Sequence, residues 1–371
     1  MSSPTGPAGG WALFLDTGGT FTDCLAIDPE RRVHRAKVLS SSALRGRVGG
    51  PLAGDALRLA PSWRLPAVRD FLNGLTVRRL DGGADGAIVV AYEPAGRVVR
   101  LDRPLALPAG AAIELASAEE APILAARLVT GTPAGEALPP LAMRLGTTRG
   151  TNALLERKGA AAVLFVTRGF ADLLRIGTQQ RPDLFALAIV RPAPLYREVI
   201  EVDERLAADG SILVPLTAEV EEELQRTARR LLGQGIEAAA VAFLHSYRNP
   251  AHEERVGELL AACGLRYVSL SSRLAPLIKI LPRAETAVVD AYLSPVLERY
   301  LEGVARALAA GSSLHVMTSA GGLVSAPAFR PKDALLSGPA GGVVGAARAG
   351  RLAGFRHIIA FDMGGTSTDV A

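Results

Sequence analysis

Residues 16 to 23 read Asp-Thr-Gly-Gly-Thr-Phe-Thr-Asp, and residues 362 to 369 read Asp-Met-Gly-Gly-Thr-Ser-Thr-Asp. The two octads agree at every fixed position of Asp-x-Gly-Gly-Thr-x-Thr-Asp. Each follows a short apolar run, WALFL or HIIAF, which reads as a strand ending on the leading Asp. Gly-Gly at that point lets the backbone adopt positive φ and approach a ligand closely. Successive backbone N–H groups in such a turn form an anion-binding concavity. The Thr hydroxyls can donate to phosphate oxygens, and the Asp can hold a hydrated Mg²⁺ beside them, because that ion prefers oxygen ligands and keeps its waters. One octad alone reads as an ordinary hairpin turn. Two copies point to two turns facing each other across a cleft, each gripping part of one polyphosphate.

Those turns must be carried by rigid elements. The chain has 371 residues, 49% of them hydrophobic, enough for a substantial core and about two domains. WALFLD, CLAID and VHRAKVLS read as three strands of a meander. From Leu44 to Ser117 the texture becomes Gly- and Pro-rich with apolar pulses at AIVVAYE, GRVVRLD and AAIELAS, a small β-rich insertion with one short helix near Ala67 to Leu72. Helical and extended segments then alternate through EEAPILAARL, LAMRLG, NALLERKG, AAVLFVT, FADLLRI, TAEVEEELQRTARRLL, EAAAVAFL and HEERVGELLAACG. A long helix follows from Ala284, and HIIAFD reads as a buried strand. Strand and helix in alternation predict an α/β core with parallel pairing.

Composition excludes several classes. Net charge is +4, but only four of the 41 basic residues are Lys, and the Arg are scattered without interleaved aromatics, so nucleic acid is not a predicted partner. No apolar run reaches the ~20 residues of a membrane span. Cys24 and Cys263 supply neither a disulfide framework nor a metal spacing, which fits a reducing, cytoplasmic setting. MSSPTGPAGG lacks the features of a signal peptide and reads as a frayed tail. His245 and His252 flank a turn but form no helical His-x-x-x-His pair, AGGVVG lacks the first Gly of a dinucleotide fingerprint, and no P-loop is present.

Two Gly-Thr hairpins, each opening a ribonuclease H-like lobe, resemble the phosphate motifs of the actin-like ATPase fold, and GPAGGVVGAARAG (338 to 350) resembles its small-residue connecting helix. LGTTRGTNALLERKG (145 to 159), TRGFADLLRIGTQQRPDLFAL (167 to 187), EVDERL (201 to 206), MTSAGG (317 to 322) and LLSGPAGGVVGA (335 to 346) are similar to the hydantoinase A and 5-oxoprolinase family. Gly-Thr-Gln followed by Arg-x-Asp-Leu-Phe is nearer the oxoprolinase branch. The resemblance implies an N-terminal domain over 11–190, carrying the insertion at about 45–117, and the start of a hydantoinase A domain over 200–371. It also implies a second lobe cut short, so that the chain is an N-terminal fragment, inactive by itself. Such a fragment is expected to bind ATP no better than millimolar, about 4 kcal/mol of binding free energy, and to leave 356–371 uncovered.

The activity implied is ATP-dependent opening of a cyclic amide, 5-oxo-L-proline to L-glutamate, by phosphorylation of the lactam oxygen. Hydantoin or N-methylhydantoin opening, ketone carboxylase activation and a non-enzymatic nucleotide switch stand as alternatives. The implied cofactors are ATP and Mg²⁺, and the implied partners are a small cyclic amide and a hydantoinase B-like subunit or C-terminal domain, with an oligomer expected of the complete enzyme. Asp16 and Asp362 are then the catalytic and metal-orienting carboxylates. Thr17, Gly18, Gly19, Thr20, Thr22 and Asp23 in the first octad, with Gly364, Gly365, Thr366, Thr368 and Asp369 in the second, are expected to hold the nucleotide. Asp23 and Asp369 also admit a structural role, fixing the hairpins through backbone N–H groups. Thr147, Thr148 and Asn152 precede or open a helix whose N-terminus could cap itself or receive an anionic substrate. Arg168, Gln179, Arg181 and Asp183 complete the expected substrate set, an Arg fork suiting the carboxylate of 5-oxoproline.

Overall fold

The computed structural model describes residues 10–52, 54–81, 86–178, 185–188, 192–363 and 368–371, with the side chain of Asp369 excepted. In chain order, the first 149 residues carry β1 (Trp11–Thr17), β2 (Phe21–Ile27), β3 (Val33–Leu39), β4 (Ala43–Pro51), β5 (Ala56–Leu59), β6 (Thr76–Arg79), β7 (Gly86–Glu93), β8 (Val98–Leu101), β9 (Ala112–Ala116), α1 (Ala121–Thr130) and β10 (Leu141–Thr147). Then come α2 (Arg149–Leu155), β11 (Ala162–Thr167), α3 (Leu173–Ile176), β12 (Tyr196–Val202), β13 (Arg205–Leu206), β14 (Ile212–Val214), α4 (Ala218–Gly233), β15 (Ala238–Ala242), α5 (Ala251–Ala262), β16 (Tyr267–Leu270), α6 (Ser271–Leu274) and α7 (Ile280–Arg306). The chain closes with β17 (Ser313–Met317), β18 (Leu323–Ser325), α8 (Ser337–Leu352), β19 (Phe361–Met363) and β20 (Thr368–Val370).

By contacts the chain groups into two units, Met1–Arg149 with Arg299–Phe329 and Asp333–Ala371, and Gly150–Glu298 with Arg330–Lys332. This grouping cuts inside α2 and α7, whereas the motif-based partition cuts near residue 190.

In the first unit, β1 pairs antiparallel with β2 and β2 with β3, while β10 lies parallel to β1 and β17 parallel to β10. Period-two alternation sends Leu13, Leu15, Cys24 and Ala26 into the core under α1, and Phe14, Asp16, Asp23 and Leu25 to the other face. The expected insertion closes on itself. The order β4-β5-β8-β7-β6-β9 is completed by β9 pairing back to β4 from Ala43↔Ala116 to Arg47↔Ala112, a six-stranded barrel without free edges. Val48, Leu59, Leu72, Val77, Val99 and Leu115 fill it. Gly46 is needed there because a Cβ would sit 2.1 Å from the Trp63 ring.

The short helix expected near Ala67 to Leu72 is instead a run of turns. Asp70 adopts φ 59°, in the left-handed region, and its carboxylate accepts the Tyr92 N–H at 3.0 Å, so the segment is spent tying down β7. HIIAFD is likewise not a buried strand. Only Phe361–Met363 is extended; among the described residues its hairpin pairs with itself alone, and Ile359 and Phe361 are 83% and 65% exposed.

The second unit is a parallel sheet in the order β12-β11-β15-β16. Val163, Phe165, Ala239 and Val241 point to one face with Leu224 and Ala228 of α4 and Val256 and Leu260 of α5. Ala162, Leu164, Ala238 and Ala240 point to the other, against Ala284, Ala287 and Ala291 of α7. Both faces are therefore covered, as a parallel sheet requires. At its edge Glu253 and Arg283 are fully buried together, and Glu253 also accepts from Ser246, Ser271 and the N–H groups of Phe243 and Ser272. Among the described residues no helix is long and apolar enough to cross a membrane.

Candidate functional site

The first octad is a tight hairpin. Asp16 stands opposite Asp23 and Thr17 opposite Thr22, and the Gly18 N–H donates to the Phe21 carbonyl at 2.9 Å to close the tip. Ser40, which sequence reasoning missed, staples that tip. Its hydroxyl donates to the Gly18 carbonyl at 2.7 Å, its N–H donates to the Thr20 carbonyl at 2.9 Å, and its Oγ lies 3.2 Å from the hydroxyl of fully buried Thr22. No spacing signal marks Ser40 within the Ser40-Ser41-Ser42 run. Gly19 and Thr20 remain exposed at the tip, where a ligand could meet them.

The second octad repeats the register. Asp362 stands opposite Asp369 and Met363 opposite Thr368 in the backbone register, as Asp16 stands opposite Asp23 and Thr17 opposite Thr22. Gly364, Gly365 and Thr366 lie outside the described residues.

Asp16, Asp23 and Asp362 line one cavity of about 1280 Å³. Its wall includes Ser337, Gly338, Gly341 and Gly342 of α8, whose small side chains leave the space open. The Asp16 carboxyl titrates above the usual carboxylate range, chiefly because its surroundings strip hydration and further because Asp23 and Asp362 repel its charge. Asp23 is also bonded by Lys37 at 2.8 Å. A Cβ on Gly146, the parallel neighbour of Asp16, would lie 3.3 Å from Asp16 Oδ1, so this position keeps room for the carboxylate.

Thr147 and Thr148 sit at the root of the first hairpin. The Thr148 N–H donates to the Thr17 carbonyl at 2.9 Å, and its hydroxyl lies 3.3 Å from the same oxygen. Thr147 is buried, accepting the Arg149 N–H through its hydroxyl and the Ser337 hydroxyl through its carbonyl. Tyr300 donates to Thr17 Oγ1 at 3.3 Å, and burial pushes its phenol up to about 12. Both Thr thus support the first hairpin, Thr147 by its pairing with Thr17 and Thr148 by its bonds to the Thr17 carbonyl. Asn152 and Arg168 belong to the second unit, and Arg168 is paired with Asp203 at 3.2 Å. Gln179, Arg181 and Asp183 lie outside the described residues.

Among the described residues no three His, Cys, Asp or Glu converge closely enough to bind a metal directly. Asp16 and Asp362 are the two leading carboxylates on this cavity that could hold an ion preferring oxygen ligands. His252, one of the histidines considered from sequence, is buried and holds Glu204 at 2.7 Å, and Glu204 in turn accepts the Thr167 hydroxyl.

Residues 111–264 match the hydantoinase/oxoprolinase N-terminal region, and residues 283–371 match hydantoinase/oxoprolinase. The chain belongs to the hydantoinase/oxoprolinase family. Its stretch of 251 residues similar to 5-oxoprolinase 1 of Arabidopsis thaliana is 45% identical, covering 62% of this chain and 20% of that protein. The chain thus spans about a fifth of the length of the curated 5-oxoprolinases it matches. Two solved structures share the fold, a nucleotide-free acetone carboxylase (TM-score 0.65, 23% identity) and the ATP-dependent caprolactamase of Pseudomonas jessenii (TM-score 0.62, 24% identity), each covering 97% of this chain and 43% of the other. The architecture is the α/β, actin-like ATPase fold of this family, as the octads implied.

Proposed function

We propose that this chain forms the nucleotide and lactam site of an ATP-dependent cyclic amide hydrolase, acting on 5-oxo-L-proline to yield L-glutamate in the cytoplasm. The observation that carries the reading is the convergence of Asp16 and Asp362, the leading carboxylates of two octads with the same Asp-x-Gly-Gly-Thr-x-Thr-Asp pattern, on one cavity. The likeness to 5-oxoprolinases supports the choice of lactam.

A lactam carbon is a poor electrophile and its nitrogen a poor leaving group. Transfer of the γ-phosphoryl to the lactam oxygen, with ADP departing, makes that carbon open to water. Addition of one water, protonation of the ring nitrogen and cleavage of the C–N bond give an acyl phosphate; a second water releases phosphate and the new carboxylate. Phosphoryl transfer asks for positioning and charge neutralisation rather than covalent help. Gly19 and Thr20 are the proposed N–H and hydroxyl donors to the phosphates in the first octad, with Gly364, Gly365 and Thr366 as their proposed counterparts in the second, while Gly18, whose N–H closes the tip on Phe21, and Thr17, Thr22 and Thr368 would hold the hairpins that carry them. A hydrated magnesium ion, when bound, would neutralise phosphate charge, and Asp16 and Asp362 would orient its waters. Thr147, Thr148, Asn152, Arg168, Gln179, Arg181 and Asp183 are the proposed substrate-side set, with the two Thr acting through the first hairpin. A hydantoinase B-like subunit or region is the proposed partner.

The test is ring-opened product and phosphate measured together over 5-oxoproline, hydantoin, N-methylhydantoin, caprolactam and acetone, using the longest translation product of the reading frame. Glutamate formed in step with phosphate supports the reading. ATP consumption coupled to acetone, or to no compound in the panel, overturns it.

A further inference from the structure

The strand registers place two rows of side chains on the floor of the cavity. In the order β10, β1, β2, β3, one row is Gly146, Asp16, Asp23, Lys37 and the next is Arg144, Phe14, Leu25, Arg35. All eight line the cavity. The first row carries the carboxylates assigned to the phosphate end. The second, two residues along the strands, has cations at both ends and an apolar middle. Strands are spaced ~4.8 Å apart and rise ~3.3 Å per residue, so Arg144 and Asp16 have Cα atoms about 8 Å apart. That separation suits a small ring with a carbonyl at one end and an anionic group at the other.

Of the three cations on this floor, Lys37 is held by Asp23, and Arg35 is an exposed side chain on β3. Arg144 differs from both. Its guanidinium lies over the Phe14 ring, 5.0 Å from the centroid, and its Nη1 is buried with no hydrogen-bond acceptor among the described residues. The Phe14 ring covers the guanidinium, and a carboxylate settling beside Arg144 on the cavity floor would supply the acceptor that Nη1 lacks. A buried N–H without an acceptor calls for an explanation, and a bound anion supplies one.

We propose that Arg144 anchors the substrate's carboxylate, so that the site selects cyclic amides bearing an anionic group beside the ring nitrogen over neutral lactams. Phe14 and Leu25 form the apolar floor on which the ring lies, with the amide oxygen directed toward Asp16. Arg168 is already engaged by Asp203 and is not needed for this contact. The inference rests on the lactam reading above and deepens it by naming what the site recognises.

The experiment is equilibrium binding to the 371-residue chain, followed by ligand-observed NMR, with 5-oxoproline, its uncharged carboxamide and 2-pyrrolidinone. The wild type should bind 5-oxoproline at least ~10-fold more tightly than either neutral compound. Arg144→Met should abolish that preference while leaving 2-pyrrolidinone unchanged, and Arg144→Lys should keep part of it. A merely structural Arg144 would weaken all three ligands alike. A wild type that fails to bind 5-oxoproline or to prefer it, or a preference that survives Arg144→Met, overturns the assignment; should Arg144→Met not fold, the wild-type series and Arg144→Lys decide. Glutamate production with an unaltered Arg144→Met preference would sink this inference and spare the hydrolase reading. An Arg144-dependent preference with no lactam opened would do the reverse.

Discussion

Replacing Ser40 with Ala isolates the staple at the first hairpin. The change removes the 2.7 Å bond to the Gly18 carbonyl and the 3.2 Å contact to the Thr22 hydroxyl, leaving only the backbone bond from Ser40 N–H to Thr20. Thr22 is fully buried, so its hydroxyl loses this partner with no solvent to replace it. Such a loss costs about 1–3 kcal/mol. The penalty falls on the loop closed by the Gly18 N–H bond to Phe21, and 1.4 kcal/mol would correspond to a tenfold rise in opening, about 5- to 150-fold over that range. Native-state hydrogen exchange reads this directly. Protection of the Gly18 and Ser40 amides should drop by that factor in Ser40→Ala and recover largely in Ser40→Thr, while core amides of β15 stay unchanged. Wild-type protection at Gly18 in Ser40→Ala would refute the staple and with it the claim that the hairpin is held rigid for phosphate.

Three further outcomes follow from the same geometry. Asp16→Asn should stabilise the first unit against urea at pH 7: a carboxylate with a raised folded pKa loses folding stability as pH rises from its unfolded value near 3.8 through its folded one, so the variant's advantage should vanish below that window. Thr148→Val should weaken Mg·ATP binding less than tenfold, read by calorimetry, because its hydroxyl makes one long bond to the hairpin carbonyl while its N–H bond remains. In the second unit, Arg283→Met should cost about 3–5 kcal/mol in urea unfolding, since it strands the fully buried Glu253 carboxylate, and Arg283→Met with Glu253→Gln should recover part of it.

The octads were legible because their chemistry is local: strand, Asp, Gly-Gly and Thr fall within eight residues, and the structure gives the first hairpin and the strands flanking the second the same register. The β-rich texture of 44–117 was legible for the same reason, but its closure was not, because the Ala43↔Ala116 pairing joins residues far apart in sequence. Asp70 shows how a local choice misleads. Its flanking residues favour a helical turn, yet a left-handed φ and a bond to Tyr92 prevail, and neither is written in the neighbouring residues. Arg144 read from sequence as one residue of an ordinary strand. Only register brings it beside Phe14 and two positions from Asp16, so the basic row of the cavity is not written in any one stretch of sequence. HIIAFD carries a buried-strand composition but lies exposed, because composition records what a segment can bury and the described residues supply nothing to cover it.

The central claim is that two octads act as one phosphate clamp. The direct measurement is 5-oxoproline-dependent phosphate release from ATP by the longest translation product of the reading frame, in the wild type, Asp16→Asn and Asp362→Asn. Loss of either carboxylate should lower the rate at least ~100-fold, because each acts on charge in the transition state. A near-normal rate from either variant would contradict the two-sided clamp.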